Sequence, residues 1–405
     1  MNTSYIYDFR AISYAARVYS GRDALASLPA ELRRHGARRA YIVCGRSVSR
    51  KTGLTARMRS ILGDSYAGLY DEMGKDTPMK DVLAARDGAR AAGADLLLAV
   101  GAGSVVQGAR IVAILLAEKG PIENLCTQYP EDGGPAISPK LSAPKLPIIN
   151  VLTAATTAQN HGGSPMIADG VDHRIEFFDP KTRPVALFWD ADALLTAPAS
   201  MMRASAAAIF WRATMNMGYA RATPLADLSR RQVFELTRNA LARLEDANDP
   251  APRIELCVAT YLMNRDVDDG GGRARHWVSR VGYAFATALF NQYEQLSQGE
   301  TYAALTPTLM RKLGSRDADA MCGIAQALGV WRDGDPVAAA PLRAAAELER
   351  IFTAQGLPTR LAQLDLPRSS TDIVLAHSLK NFNSDPKREF VREREFLREV
   401  LEACW

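Results

Sequence analysis

The stretch that decides the fold is DLLLAVGAGSVVQGAR, residues 95–110. It begins with an apolar run typical of a strand buried on both faces, passes through a glycine-rich turn and ends with helical spacing. Glycines at such a junction let the backbone approach a ligand closely, and the following helix offers free N–H groups and a positive dipole end to an anion. A dinucleotide pyrophosphate is the usual occupant, and an unliganded junction is the alternative. We predict cofactor contacts at Gly101, Gly103 and Ser104.

Strand and helix patterns alternate around this stretch. Strands are predicted at 40–44, 95–100, 146–152, 174–178 and 185–189, and helices at 79–92 and 104–118. The last two strands are predicted to pair as a hairpin around residues 179–181. This alternation predicts an α/β domain with a parallel, Rossmann-like sheet.

Strand patterns nearly vanish after residue 192. Runs rich in Ala, Leu, Arg and Glu predict helices at 199–222, 230–248, 253–264, 274–296 and 338–355. Residues 128–144 have the composition of a surface loop. The sequence therefore predicts an α/β nucleotide-binding domain at 1–191 and an all-helical domain at 192–405, with the active site in the cleft between them.

The composition of the 405-residue chain is that of an ordinary globular protein, with 47% hydrophobic and 23% charged residues. This balance excludes disordered, collagen-like and coiled-coil chains, and a net charge of +4 argues against nucleic-acid binding. The five cysteines are scattered without metal-like spacing, which predicts free thiols in a reducing compartment. No signal peptide is apparent at Met1–Tyr5, and no apolar run approaches the ~18 residues that a membrane span needs. A cytoplasmic location is expected.

A second candidate cofactor contact follows the first predicted strand, at Gly45, Arg46 and Ser47. In doubly wound nucleotide-binding folds an acidic residue at a strand end holds the ribose 2′-hydroxyl, whereas an arginine suits a 2′-phosphate. The sequence has Arg46 here and no acid nearby, so NADPH is predicted in preference to NADH. A solvated loop arginine is the alternative interpretation.

A third candidate segment, residues 152–161, is rich in small hydroxyl residues. Thr153, Thr156 and Thr157 follow a predicted strand, where their hydroxyls are able to bind a phosphate, a ribose or a carboxamide. A polar loop without a ligand is the alternative.

In their order along the chain, these segments resemble the iron-containing alcohol dehydrogenase family, within the dehydroquinate-synthase-like superfamily. Residues 101–104 resemble its GGGS loop, and residues 153–160 look like its threonine-rich cofactor loop. Residues 175–198 are similar to its strand pair followed by an Asp and a helix start of the Leu-Pro type, and residues 301–307 resemble the segment after its last metal ligand. The resemblance covers nearly the whole chain and implies an α/β dinucleotide-binding domain, an all-α domain and a homodimer.

Members of this family usually hold one Fe²⁺ or Zn²⁺ between the two domains, on one Asp and three His of the helical domain. An ungapped alignment puts at those four positions Ala208, Arg212, Ala284 and Gln298, and it puts Ala288 at a further histidine credited with proton transfer. Alanine has no donor atom, and a guanidinium has no lone pair to give. No metal of the family's kind is therefore expected. A shifted alignment would bring His276 towards the cleft, although a supporting or helix-surface role is favoured for it.

Arg212 is the replacement with chemical consequences. A guanidinium at a vacated metal site is able to bind a carboxylate through two hydrogen bonds, or to stabilise a developing alkoxide. An ion pair with an acid across the cleft is the alternative. His161 and Tyr293 are the candidate groups for proton transfer. The candidate substrate contacts are Asn160, Trp211, Asn216, Tyr219 and Gln298.

Three functions are open, and the favoured one is a metal-independent, NAD(P)H-linked oxidoreductase that reduces a carbonyl or imine of a small, anionic substrate. The second is a non-redox lyase, cyclase or isomerase, which the lost metal ligands favour together with Gln107, where the family tends to carry Asp. The third is a non-catalytic relative that binds a small molecule or a partner protein.

Overall fold

The computed structural model describes residues 5–171, 173–219, 222–244, 246, 248–271 and 276–405. The strands of this part of the chain are β1 (Arg17–Gly21), β2 (Ala40–Cys44), β3 (Tyr66–Tyr70), β4 (Leu96–Gly101), β5 (Ile148–Leu152), β6 (Gly163–Met166), β7 (Ile175–Phe178) and β8 (Ala186–Asp190). The helices of the first half are α1 (Leu28–Arg34), α2 (Arg46–Lys51), α3 (Leu54–Leu62), α4 (Met79–Ala91) and α5 (Gly103–Ala117). The N-terminal residues before Tyr5, where no signal peptide was expected, lie outside the described residues.

The helices that follow the last strand are α6 (Ala191–Leu195), α7 (Ala199–Asn216), α8 (Pro224–Ala242), α9 (Ala251–Asp268), α10 (Trp277–Gln292), α11 (Gln298–Leu313), α12 (Ala318–Ala327), α13 (Ala340–Ala354), α14 (Ser370–Ser378) and α15 (Arg394–Glu402). None of the described helices combines the length and apolarity that crossing a membrane requires. Residues 220–221, 245, 247 and 274–275 of the predicted helices lie outside the described residues.

Six strands form one parallel sheet in the order β1-β8-β5-β4-β2-β3, and β6 and β7 form a small antiparallel pair. Along β4, Leu96, Leu98 and Val100 pack towards α1 and α3, whereas Leu97 and Ala99 pack towards α4 and α5. The central strands are continuously apolar because helices cover both faces of the sheet. The predicted α/β domain with a parallel sheet, followed by an all-helical region, is confirmed.

One predicted pairing is wrong. The antiparallel partner of β7 is β6, and residues 186–190 instead enter the parallel sheet as β8, between β1 and β5. The turn between β7 and β8 is a short 3₁₀ turn, in which the Asp179 carboxylate accepts a hydrogen bond from the Lys181 N–H at 2.9 Å. All five residues of β8 are buried. An apolar run of this kind is more stable as a strand of the large sheet, with both faces covered, than as half of an isolated two-stranded ribbon.

The helical half packs around α11, which lies against α7, α10 and α13. α8 begins at Pro224, six residues before the predicted start, because the Thr223 side chain caps it and accepts a hydrogen bond from the Ala226 N–H at 3.1 Å. Of these helices, α7, α10 and α11 carry the residues that face the predicted site.

Candidate active site

The candidate site lies at the carboxyl edge of the parallel sheet. The chain leaves β2 for β3 on one side and returns to β4 on the other side of β2. Open α/β sheets bind ligands at such a switch point, in the crevice outside the carboxyl ends of the two strands. β2 ends at Cys44 and β4 at Gly101. The crevice therefore joins two turns that lie more than fifty residues apart in the sequence.

The glycine turn has the shape of an anion cradle. α5 begins at Gly103, and its N-cap residue Ala102 provides no side-chain hydrogen bond to the first N–H groups. A Cβ on Gly101 would lie 2.7 Å from Val105 Cγ2, and one on Gly103 would lie 3.2 Å from Thr156 Oγ1. Only glycine leaves this space open, and free N–H groups at a helix N-terminus suit a diphosphate. The residues of the turn fit a dinucleotide.

The threonine loop lies directly beside the glycine turn. The Thr153 N–H donates to the carbonyl oxygen of Gly101 at 3.1 Å. Thr156 Oγ1 accepts from the Ala158 N–H at 3.1 Å, and Ser205 Oγ of α7 donates to the carbonyl oxygen of Ala155 at 2.7 Å. The structure thus brings the glycine turn, the threonine loop and the first helix of the all-helical region together.

Two buried amides hold the end of this loop against α9. Gln159 Nε2 donates to the carbonyl oxygen of Cys257 at 2.7 Å. Asn160 Nδ2 donates to the carbonyl oxygen of Tyr261 at 3.2 Å, and Asn160 Oδ1 accepts from Asn264 Nδ2 at 2.6 Å. Through these bonds Asn160 links the two halves of the chain, and its role as a substrate contact stays a prediction. His161 follows it and is half-buried.

Arg46 lies at the outer edge of the same crevice. Its Nη2 donates to Glu72 Oε2 at 3.2 Å, and Arg50 pairs with the other oxygen of that carboxylate at 2.5 Å. The expectation that no acid lies near Arg46 is therefore wrong. β3 runs parallel to β2, so its carboxyl end delivers Asp71 and Glu72 to the edge that carries Arg46. Ser47 is exposed beside Arg46, and the preference for NADPH stays a prediction.

The helical wall of the site is organised around Tyr302 of α11. Trp211 stacks on the Tyr302 ring, with centroids 3.7 Å apart and planes inclined by 5°. Gln298 Nε2 donates to the Tyr302 hydroxyl at 3.1 Å. The positive charge of Arg212 is one of the effects that lower the pKa of this hydroxyl and that of Asp266 in α9. Trp211 and Gln298, predicted from two distant helices, therefore meet around a tyrosine that was not among the predicted site residues.

The Tyr302 hydroxyl keeps its proton near neutral pH. Burial raises its pKa, and this effect outweighs the hydrogen bond from Gln298 and the charges of Arg212 and Arg174, which lower the pKa. The hydroxyl is therefore a neutral hydrogen-bonding group.

The residues at the family's four metal positions do not fit a metal ion. Ala208 and Ala284 are buried and have no donor atom. Arg212 is a cation, so the amide oxygen of Gln298 is the single metal donor that these four side chains offer. Ala288, at the position of the further histidine, is also buried. Within the ranges that the structure describes, no three His, Cys, Asp or Glu side chains are grouped so that they could hold a metal ion.

His276 caps a helix. Its Nδ1 accepts from the Ser279 N–H at 3.2 Å, at the start of α10, and its Nε2 lies 3.1 Å from the carbonyl oxygen of Met215. Both ring nitrogens therefore contact the backbone. Burial lowers the pKa of His276, although the bond to Met215 and the charge of Asp317 raise it.

Three other predicted residues have contacts away from Tyr302. The Tyr219 ring packs on Arg230, whose guanidinium carbon lies 4.1 Å from the ring centroid. Asn216 lines a small cavity beside the buried pair of Arg230 and Asp266. The Tyr293 hydroxyl shares a hydrogen bond with Ser370 Oγ at the start of α14.

The segment between β3 and α4 contributes residues to the site that were not predicted from the sequence. Asp76 and Thr77 have φ angles of 58° and 59°, in the left-handed region that β-branched residues rarely adopt. The Asp76 N–H donates to Ser104 Oγ at 3.0 Å, and Thr77 Oγ1 donates to the carbonyl oxygen of Ser104 at 3.0 Å. These bonds fix a strained segment to the glycine turn. The sequence signal for this segment is a lysine and an acid, Lys75 and Asp76, just before the Thr-Pro pair that starts a helix.

Lys75 joins this segment to the helical half. Its Nζ donates to the carbonyl oxygens of Phe290, Glu294 and Leu296 at 3.1, 2.7 and 2.8 Å, at the end of α10 and in the turn that follows. Burial lowers the pKa of Lys75. Burial also raises the pKa of the Asp76 carboxyl to about 6, although the charges of Lys75 and Arg174 act in the opposite direction.

Arg174 is a second cation that the sequence analysis did not select. It lies just before β7, and its Nη2 donates to Glu176 Oε1 at 3.1 Å and to the Tyr283 hydroxyl of α10 at 3.4 Å. Lys75 and Arg174 both reach from the sheet-bearing half to α10, so the two halves meet through charged groups at the crevice.

Comparison with known proteins agrees with this architecture. The family model described as iron-containing alcohol dehydrogenase matches residues 15–191. Maleylacetate reductase 2 of Cupriavidus pinatubonensis is 37% identical over 112 residues, which are 28% of this chain and 30% of that protein. Long-chain-alcohol dehydrogenase 1 of Geobacillus thermodenitrificans is 24% identical over 359 residues, covering 87% of this chain and 86% of that protein. The NADH-dependent butanol dehydrogenase A of Thermotoga maritima has the same fold, with a TM-score of 0.83 at 17% identity over 98% of this chain and 99% of that one.

The fold and these relatives define the class of the protein, an alcohol dehydrogenase-like oxidoreductase. The match over residues 15–191 confirms the resemblance to the iron-containing alcohol dehydrogenase family that the motifs predicted.

Proposed function

We propose that the protein is a metal-independent, NAD(P)H-linked reductase that acts on a carbonyl or imine of a small, anionic substrate. The observation that carries the proposal is Arg212, a guanidinium that the alignment puts at a metal-binding histidine of the family. It lies on α7, the helix whose Ser205 bonds to the threonine loop beside the glycine turn. Maleylacetate reductase 2, a relative whose name specifies an anionic substrate, supports this substrate class.

The cofactor would be held by Gly101, Gly103 and Ser104 at the start of α5, and by Thr153, Thr156 and Thr157 beside it. A bound nicotinamide would supply the hydride. NADPH is proposed as the cofactor and NADH as the alternative. The pair between Arg46 and Glu72 is exposed on both sides, and exposed ion pairs contribute only about 0–1 kcal/mol. A 2′-phosphate would therefore be able to compete with Glu72 for Arg46.

Arg212 would bind the anionic group of the substrate or stabilise negative charge that develops on its oxygen. Trp211 and Gln298 would shape this part of the site, because both contact Tyr302 beside Arg212. His161 and Tyr293 remain the proposed groups for proton transfer. A homodimer and a cytoplasmic location are also proposed, with no nucleic-acid or membrane partner.

The test is NADPH oxidation at 340 nm by protein that has been stripped with a chelator and checked for metal. The substrates are maleylacetate, a panel of oxo acids, and the neutral methyl esters of the same compounds. We expect turnover of the acids without metal, little turnover of the esters, and a loss of roughly 10- to 150-fold in kcat/KM for Arg212→Gln. The Arg212→Lys variant is the matched control, because it keeps the charge and loses the two-pronged geometry.

Turnover that appears only after Fe²⁺ or Zn²⁺ is restored would refute metal independence. The second candidate function, a non-redox lyase, cyclase or isomerase, is favoured by the absence of donor atoms at Ala208 and Ala284. It predicts that a substrate is consumed while the absorbance at 340 nm stays constant.

A further inference from the structure

The segment between β3 and α4 holds two side chains on a strained backbone. Asp76 and Thr77 are consecutive residues with φ angles of 58° and 59°. The left-handed region is unfavourable for residues with a Cβ, and most of all for a β-branched residue such as threonine. Strained residues of this kind persist where the surrounding structure holds them firmly, and they cluster at active sites. The strain therefore points to a functional side chain in this segment.

Asp76 is fixed between the glycine turn and the helical half. Its N–H donates to Ser104 Oγ at 3.0 Å, in the first turn of α5. Asp76 Oδ2 lies 3.9 Å from Lys75 Nζ, and that ammonium group donates to the carbonyl oxygen of Glu294, after α10, at 2.7 Å. The carboxyl group therefore lies beside the glycine turn, on the side that faces the helical half.

The Asp76 carboxyl group is not used by the fold. Within the described ranges neither of its oxygens accepts a hydrogen bond, although the side chain is only 18% exposed, and neither oxygen is sealed from solvent. The strained neighbour Thr77, in contrast, uses its hydroxyl to donate to the Ser104 carbonyl oxygen at 3.0 Å. Buried polar groups are normally hydrogen-bonded, because burial without a partner costs free energy. Asp76 therefore offers a hydrogen-bonding group to a ligand in the crevice.

The surroundings of Asp76 favour the protonated carboxyl. Burial raises its pKa to about 6. Of the charged groups that face it, Lys75 and Arg174 lower the pKa and Glu294 raises it. A diphosphate at the start of α5 and an anionic substrate would each raise the pKa further, because each would repel a carboxylate. A carboxyl group that keeps its proton near neutral pH is able to donate a hydrogen bond and then the proton itself.

We propose that Asp76 is a catalytic acid, which donates a hydrogen bond to the carbonyl oxygen of the substrate and transfers its proton to that oxygen during the reduction. This inference rests on the proposed function, in which the carbonyl carbon gains a hydride from the nicotinamide. The electron pair of the carbonyl π bond then moves to the oxygen, and the O–H bond of Asp76 breaks as the proton joins it. The product is the alcohol, and the Asp76 carboxylate takes a new proton from water at its exposed edge.

Asparagine separates the two parts of this role, because its amide donates a hydrogen bond but does not release a proton near neutral pH. The first measurement is calorimetric titration of oxamate, an unreactive analogue of an oxo acid, into the full-length protein between pH 5.5 and pH 8, with and without NADPH. We expect the affinity of the unmodified protein to fall up to about tenfold per pH unit above about pH 6. Asp76→Asn should remove that dependence and bind oxamate roughly 10- to 100-fold more tightly than the unmodified protein at pH 8.

The second measurement is the pH profile of the reaction at 340 nm. For reduction, kcat/KM of the unmodified protein should fall above about pH 6, whereas alcohol oxidation needs the carboxylate and should rise over the same range. Asp76→Asn should lower kcat by roughly 100-fold or more at pH 6 in both directions while it keeps oxamate binding. The control is Asp365→Asn, because Asp365 is an exposed acid with a similar left-handed φ of 53°. This variant should leave both profiles unchanged.

Tighter binding combined with lost turnover is a result that a folding defect does not imitate. Oxamate affinity that is independent of pH in the unmodified protein, or no oxamate binding at any pH, would overturn the role of Asp76. An unaltered kcat in Asp76→Asn, together with lost activity in His161→Asn, would also overturn it and would leave the proposed function standing. Absence of NADPH oxidation by the unmodified protein with every substrate would instead refute the proposed function, and this inference with it.

Discussion

Replacing Asp76 with asparagine should stabilise the protein at pH 8 and leave its stability nearly unchanged at pH 4. Burial raises the pKa of this carboxyl from 3.8 in its unperturbed form to about 6 in the fold. Between pH 3.8 and about pH 6, the native state therefore keeps a proton that the unfolded chain has already released. Stability must fall as the pH rises through this window, because the unfolded state binds fewer protons there.

The size of the effect follows from the same two values. A rise from 3.8 to about 6 corresponds to about 3 kcal/mol of unfolding free energy above pH 6, and to almost none below pH 3.8. Asparagine cannot ionise, and it tolerates the left-handed backbone that Asp76 adopts, with φ at 58°. The advantage of Asp76→Asn should therefore grow by about 2 kcal/mol between pH 4.5 and pH 8.

The assay is guanidinium unfolding at five pH values, with the difference between variant and parent as the readout. The control is Asp365→Asn, because Asp365 is exposed and has a similar left-handed φ of 53°. Its difference from the parent should stay constant with pH. A difference for Asp76→Asn that is equally flat would refute the assignment of a buried, proton-retaining carboxyl at the crevice.

Three further substitutions test contacts around the site. Glu72→Gln releases Arg46 and should strengthen NADPH binding relative to NADH binding, raising the ratio of the NADH to the NADPH dissociation constant by up to about fivefold. An unchanged ratio would show that Arg46 does not contact the cofactor. Lys75→Met removes charge-assisted bonds to the carbonyl oxygens after α10 and should lower the unfolding free energy by about 1.5–3 kcal/mol; an unaltered denaturation midpoint speaks against that link. Gly299→Ala forces a Cβ into a carbonyl oxygen of α7 and should cost about 1–3 kcal/mol by thermal unfolding, whereas Gly53→Ala, with open space around it, should be nearly neutral. Equal effects of the two glycine changes would contradict the close packing of α7 on α11.

The central sheet could be predicted from the sequence because its strands carry a simple signal. β2, β4 and β5 are buried along their whole length and read as unbroken apolar runs. β1 and β3 lie at the two edges of the sheet and are only partly covered, so their residues lack that signal and were missed. The incorrect hairpin has a related cause, since local turn chemistry does not reveal which strand a buried run will join.

The candidate site also has one part that the sequence predicts and another part that it does not. The glycine turn and the threonine loop are continuous segments, so their residues could be named from the sequence. The group around Tyr302 and Arg174 is assembled from separate elements between β7 and α11, and no local pattern marks it. The acid that meets Arg46 was missed for this reason too, since Glu72 lies 26 residues further along and reaches Arg46 only because β2 and β3 are adjacent.

The most direct measurement is a titration of NADPH into metal-depleted protein, with Gly103→Val as the comparison. A valine at this position fills the space beside Thr156 where a diphosphate would lie. We predict one NADPH per chain with micromolar affinity in the absence of metal, and a loss of at least 100-fold in the valine variant. Binding that requires added Fe²⁺ or Zn²⁺, or that survives the valine, would contradict a dinucleotide cradle working beside an arginine in place of a metal.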